Sequence, residues 1–295
     1  MAKGIVTLPQ TLTQADWSMT INAIHAMMIA CGWVQTADTG QVNLASILAN
    51  TAYYEIWTPG DALQATSPFF LRIDYRGEIT HSWAYPTFTI GTSTNGAGTI
   101  YGGATSTPCP LAAQIGTVAT TGALYDCWYF GDTSSVTLLL WRNGQVAQTL
   151  LLSVERSRNA SGAYTGDYFT QTSFVGGYYW SWNTAALGFI QQSVFSSALA
   201  YGAAPQTCLI PAIPIWGPSS GFFANNLAIS PAYPFIGKID YPALNLAFAF
   251  VGDVTEGGVA KMNLYGVDHT YLFTKVFSAV TQMPGKLLAT GIRWE

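Results

Sequence analysis

Ala123-Leu124-Tyr125-Asp126-Cys127-Trp128-Tyr129-Phe130, Gly131-Asp132-Thr133-Ser134-Ser135 and Val136-Thr137-Leu138-Leu139-Leu140-Trp141 form the stretch that decides the fold. Two runs rich in aromatic and branched residues flank five small turn formers, the pattern of a hairpin. Asn143-Gly144 then separates residues 136–141 from residues 145–154. Asn-Gly suits a two-residue hairpin turn, because both central residues take positive φ. Residues 123–154 therefore predict a meander of three antiparallel strands. Residues 155–166 follow as a polar loop.

Working toward the N-terminus, residues 87–91, 69–75 and 53–57 read as strands, with Pro59-Gly60 breaking the chain between the last two. Residues 33–36 are a short β-favouring run and 37–41 a turn. Residues 92–103 are rich in Thr, Ser, Asn and Gly, which predicts a long exposed loop or loose hairpin. One helix stands out. Thr13 followed by Asp16 resembles a capping box, and Trp17, Ile21, Ile24 and Met28 recur on one helical face. Gly32 closes it.

Toward the C-terminus, residues 244–251, 262–265, 271–277 and 292–294 read as strands. Residues 189–199 fit a strand or a short helix. Residues 205–234 are proline-rich around Ile215-Trp216-Gly217-Pro218 and predict an irregular excursion. The whole is mainly β, an antiparallel β-sandwich or distorted barrel with one N-terminal amphipathic helix. A division into 1–157, helix plus β-sheet, and 158–295, an aromatic- and Pro-rich β region, is one reading; one continuous domain is the other.

Composition narrows the function. The chain has 295 residues, 49 % of them apolar and 9 % charged, against about 25 % charged in an average globular protein. The longest apolar runs are far shorter than the roughly 20 residues of a spanning helix, so no membrane partner is expected. Uncharged polar residues replace the missing charge, as on surfaces that are covered in an assembly. The net charge of −4 comes with no Lys/Arg cluster, which argues against nucleic acid. Met1 to Pro9 carries no apolar core run, so no cleaved signal peptide is expected. Cys31, Cys109, Cys127 and Cys208 are scattered without a CxxC, and buried free thiols are the simplest reading.

No reaction centre emerges. His25, His81 and His269 lie near no Gly-x-Ser-x-Gly elbow. Asp74, Glu78, Asp126 and Asp132 sit at strand ends or turns, where solvated carboxylates are ordinary, and Asp132 is accounted for by turn chemistry. No metal-binding spacing occurs, and Asn95-Gly96-Ala97-Gly98 lacks the residues of a phosphate cradle. The expectation is no enzyme, no metal and no cofactor; a glycan hydrolase built on a pair of carboxylates is the weaker alternative. Tyr178, Tyr179, Trp180, Trp182 and Trp216 are the candidate contact residues, since flat aromatic faces serve protein interfaces and sugars alike.

Two stretches resemble structural proteins of tailed bacteriophages, those of the virion, tail or baseplate. The first runs through Asp38-Thr39-Gly40-Gln41, Tyr53, Glu55-Ile56-Trp57, Asp61-Ala62-Leu63-Gln64, Ser67-Pro68, Phe70-Leu71-Arg72-Ile73-Asp74-Tyr75, Pro86, Ile90-Gly91-Thr92 and Asn95-Gly96-Ala97-Gly98, about a fifth of the chain. The second is Val154-Glu155-Arg156-Ser157-Arg158-Asn159-Ala160-Ser161-Gly162. The resemblance implies an assembly part, usually a symmetric multimer, made in the bacterial host cytoplasm and residing in the virion. Its partners would be copies of itself and other virion proteins, with a host surface glycan as the alternative. No catalytic residue is carried over.

Overall fold

The computed structural model describes residues 1–9, 14–48, 50–75, 77–78, 83–84, 87–102, 104–105, 124–142, 148–159, 161–176, 190–195, 206–208, 223–224, 227–231, 244–250, 257–279 and 287–295. The described chain is mainly β, in antiparallel sheets, with one N-terminal α-helix, as the sequence predicts.

The meander is the heart of a central seven-stranded sheet. Its strands lie in the order Ala2–Pro9, Leu124–Asp132, Ser135–Arg142, Gln148–Arg158, Tyr164–Gly176, Ile190–Phe195 and Gln206–Cys208. The first hairpin is tighter than expected: Asp132 pairs with Ser135, so Thr133-Ser134 alone make the turn. The second hairpin differs from the expected Asn-Gly turn. Trp141 pairs with Thr149, whereas a two-residue turn at Asn143-Gly144 would have paired Arg142 with Gln145. Residues 143–147 themselves lie outside the described residues.

Two strands of this sheet run counter to the sequence reading. Ala2–Pro9 is an eight-residue strand against Leu124–Asp132. Its Ala2, Val6 and Leu8 face the core while Lys3, Ile5 and Thr7 face outward, an alternation hidden by its lack of a continuous apolar run. The expected loop at 155–166 is mostly strand, since Gln148–Arg158 and Tyr164–Gly176 pair up to Arg158 and Tyr164 with a bulge after Arg156. Charged residues suggested solvent there, but partners in neighbouring layers satisfy them.

A five-stranded sheet carries the expected N-terminal strands in the order Ala104–Thr105, Thr87–Gly91, Phe70–Tyr75, Tyr53–Thr58, Val34–Gln35. Phe70–Tyr75 alternates, with Leu71, Ile73 and Tyr75 buried. The expected loose hairpin is Ser93–Thr94 paired with Ile100–Tyr101. The helix spans Gln14–Ala30 and buries Trp17, Ile21, Ile24 and Met28, the expected face, together with Thr20 and Met27. Thr13 lies outside the described residues. Gly32 adopts φ +84°, the left-handed conformation that ends helices.

A third sheet has the order Phe223–Ala224, Leu227–Pro231, Leu246–Phe250, Leu287–Arg293, Val267–Ala279, Val259–Leu264. Its last hairpin turns on Tyr265 (φ 56°) and Gly266 (φ 76°), the double positive φ of a type I′ turn.

Pleating gives the central sheet two faces. Cys127, Val136, Leu138, Leu152 and Val154 pack with the helix and the five-stranded sheet into one core. Trp128, Phe130, Thr137, Leu139, Ser153 and Glu155 occupy the other face and are also buried. That second face meets the C-terminal sheet, where Arg293 lies over the Phe130 ring and Lys3 Nζ donates to the Trp294 carbonyl at 2.7 Å.

Candidate functional site: a buried polar network between the layers

Strand Gln148–Arg158 ends in consecutive charged residues, and alternation sends them to opposite faces. Arg156, on the helix side, is fully buried. Its Nε donates to Asp61 Oδ2 at 2.5 Å and its Nη2 to Asp61 Oδ1 at 2.9 Å, a two-point pair. Both terminal nitrogens also reach the Ser67 carbonyl at 3.3 Å. Asp61 is held in turn, accepting from Ser134 Oγ at 2.6 Å and from Gln64 N at 3.0 Å. The second bond caps the short 3-10 helix Ala62–Ala65.

Glu155 points the other way. Leu244 N and Asn245 N donate to its carboxylate at 3.0 Å, and Arg158 Nε at 3.2 Å. Tyr271 OH donates to the Leu244 carbonyl at 2.7 Å, which anchors the same turn to strand Val267–Ala279. Arg158 lies 4.0 Å over the Tyr164 ring. Tyr164 OH donates to Asp132, which also accepts from Ser134 N and Ser135 Oγ. Burial, then the charges of Glu155 and Asp132, push the Tyr164 phenol up; burial and then Glu155 do the same to Tyr271.

A second cluster sits under the helix. Glu55 is fully buried; His25 Nδ1 lies 2.5 Å from its Oε1, and Tyr75 OH donates to its Oε2 at 2.6 Å. Burial, followed by the Glu55 charge, raises the Tyr75 phenol well above its ordinary range. The His25 ring meets Trp57 edge-on at 5.1 Å. A carboxylate holding a histidine is the orienting half of a triad. Among the described residues no hydroxyl or thiol bonds the other ring nitrogen, so the nucleophilic half is missing there.

A third knot ties the turn at 38–41 to the hairpin at 93–101. Asp38 accepts from Thr36 Oγ1, Thr94 Oγ1 and Gly98 N. Arg72 pairs with Asp74, donates to the Gly98 carbonyl at 2.6 Å and stacks 4.0 Å over the Tyr54 ring.

The carboxylates that a hydrolase would need are thus engaged where they are described: Asp74 with Arg72, Asp126 with Thr7 and Asp132 in its turn. The Glu78 side chain and His81 lie outside the described residues. His269 lies within strand Val267–Ala279 and is buried; burial, then Arg293, lowers its pKa to about 4. Cys31 and Cys127 are buried free thiols, with Cys31 pushed up to about 12 by burial and then by Asp132. The candidate contact residues Tyr178, Tyr179, Trp180, Trp182 and Trp216 all lie outside the described residues. Among the described residues no three His, Cys, Asp or Glu side chains gather as a metal site, and no helix is long and apolar enough to cross a membrane.

The sequence named most of these charged residues but not their pairings. Glu55 with His25, and Asp61 with Arg156, are 30 and 95 positions apart, and no local spacing encodes them. Comparisons with protein-family models, curated proteins and solved structures find no match to this chain.

Proposed function

We propose that this chain is a non-enzymatic structural component of a bacteriophage virion, in its tail, baseplate or fibre region, assembling into a multimer through largely uncharged interfaces. One observation carries the reading beyond the resemblance itself. The two separate stretches that resemble phage virion proteins meet in space, Asp61 and Ser67 of the first around Arg156 of the second. Asp61, Arg156 and Glu155 brace one layer against the next, which is an architectural use. The carboxylates of the network are spent on internal donors, which suits a frame better than a reaction centre.

The test is the mass of the purified full chain by light scattering across a concentration series. A defined multimer, or a mass that climbs with concentration, supports the reading. A monomer at every concentration overturns it and turns attention to Tyr178, Tyr179, Trp180, Trp182 and Trp216 as glycan contacts, to be examined by binding to host surface polysaccharide.

A further inference from the structure

The hairpin that pairs Ser93–Thr94 with Ile100–Tyr101 carries Asn95-Gly96 at its tip, both exposed. The Asn95 side chain folds forward along the chain. Its Oδ1 accepts from Ala97 N at 2.8 Å and from Thr99 N at 2.9 Å, the habit of an Asn that bonds main-chain groups ahead of it in a turn. Gly96 lies between donor and side chain, so the amide arches over the Asn95–Gly96 peptide bond. Gly96 itself takes φ +76°, and outside its chain neighbours no atom lies within 4 Å of where a Cβ would stand. Its N–H donates to Thr94 Oγ1 at 3.2 Å, and Thr94 Oγ1 donates in turn to Asp38 Oδ2 at 3.1 Å. One exposed turn thus joins an uncrowded nitrogen, a side-chain carbonyl whose oxygen rests on two N–H groups, and a hydroxyl backed by a carboxylate.

We propose that Asn95-Gly96 is a self-modifying site, at which Gly96 N attacks Asn95 Cγ and the side-chain amide leaves as ammonia. The N–Cγ bond forms, the Cγ–Nδ2 bond breaks, and a succinimide ring closes. The two N–H groups on Oδ1 are placed to hold the oxyanion of the tetrahedral adduct. The Gly96 proton passes to Thr94 Oγ1 as the Thr94 hydroxyl proton moves to Asp38, which is general-base help through a relay. The departing nitrogen takes its proton from water, and Asp38 returns its own to solvent. Water then opens the ring, giving aspartate by attack at Cγ or isoaspartate by attack at the Asn95 main-chain carbonyl. Isoaspartate lengthens the main chain at the tip by one carbon. Asn95 N then loses its register with the Thr99 carbonyl and Gly96 its carbonyl bond from Thr39 N, which are 3.1 and 2.9 Å in the unmodified chain. The site is therefore a slow, one-way release of the turn at 38–41 from the hairpin. It does not depend on the assembly reading.

Peptide mapping by mass spectrometry tests it on the full chain, aged at neutral pH in buffer and in urea. Conversion of the Asn95 amide to acid is followed in both, with Asn143-Gly144, the same dipeptide elsewhere in the chain, as the standard under urea. The folded geometry should speed conversion at Asn95 about tenfold over the unfolded chain. A ratio below about threefold overturns the proposal, since the dipeptide alone then accounts for the rate. Thr94→Val should remove most of the acceleration and Thr94→Ser should keep it, while unchanged amide exchange at Ala97 and Thr99 shows that the turn is still formed. A Thr94→Val chain that keeps the turn and the full rate overturns the relay. Should Thr94→Val lose the turn, the ratio of folded to unfolded rates in the parent decides alone.

Discussion

On one face of the central sheet Arg156 meets a carboxylate from another layer; on the other face Glu155 meets two backbone N–H groups. The neighbours in sequence do opposite jobs. Arg156 has a charged partner whose own position depends on Ser134 and Gln64, so that joint is a network in which each member needs the rest. Glu155 caps the turn at Leu244-Asn245 and also pairs with Arg158, which has the Gly162 carbonyl and the Tyr164 ring besides. The first joint is the more brittle. Removing Asp61 takes the carboxylate from a fully buried guanidinium, whereas removing Glu155 strands two backbone dipoles and leaves Arg158 its contacts with Gly162 and Tyr164.

That difference sets the order of expected losses. Asp61→Ala takes the carboxylate from the buried Arg156 guanidinium, and should cost about 3–5 kcal/mol, read as a fall in the midpoint of urea unfolding. Asp61→Leu combined with Arg156→Met should recover much of that loss, because the charge is then gone from both sides. A double variant as unstable as Asp61→Ala would mean that the joint does not rest on charge pairing. Glu155→Ala strands the Leu244 and Asn245 N–H groups, at roughly 1–3 kcal/mol. Its signature is local: amide exchange should accelerate at 244–250 and change little at 70–75. Equal acceleration in both segments would break the contrast between the faces.

The C-terminal sheet carries a pH handle of its own. His269 is held neutral, its pKa lowered to about 4 from an ordinary 6.5 by burial and then by Arg293. The unfolded chain binds the proton first as pH falls. Stability from this group is therefore complete above about pH 6.5, declines as pH drops toward 4, and is flat below that. The decline is on the order of 2 kcal/mol after allowing for residual hydration of the ring. His269→Gln should remove that component from a plot of unfolding free energy against pH. An unchanged slope between pH 4 and 6.5 would show that other groups produce it.

What the sequence disclosed and what it hid divide along physical lines. Aromatic and branched runs bounded by turn formers gave away 53–57, 69–75 and 87–91, because a strand half-buried in a sheet writes its own pattern. The strand Ala2–Pro9 was hidden because half its residues face outward at the sheet edge. The continuation of strand Gln148–Arg158 through Glu155 and Arg156 was hidden because charge ordinarily means solvent, and only distant partners reverse that. The same holds for the site: Asp61's role as a cap for Gln64 is local and could be read, while its pairing with Arg156 exists only after the layers stack.

The smallest expected effect lies within the central sheet. Thr137 and Ser153 are paired across adjacent strands, Oγ1 to Oγ at 2.8 Å, and both are buried. They sit on the Glu155 face, among Trp128, Phe130 and Leu139, where an apolar pair would fit the surroundings equally well. Nature of the bond, not its presence, decides the outcome: a neutral hydroxyl pair returns about 1 kcal/mol net, but a lone buried hydroxyl forfeits its hydration. Thr137→Val should therefore cost about 1 kcal/mol by stranding Ser153, while Thr137→Val with Ser153→Ala should lie nearer the parent than Thr137→Val alone. Urea unfolding of the two singles and the double closes the cycle. If the double loses the sum of the singles, the two hydroxyls are not partners, and the polar character of this face must be explained by contacts with the C-terminal sheet instead.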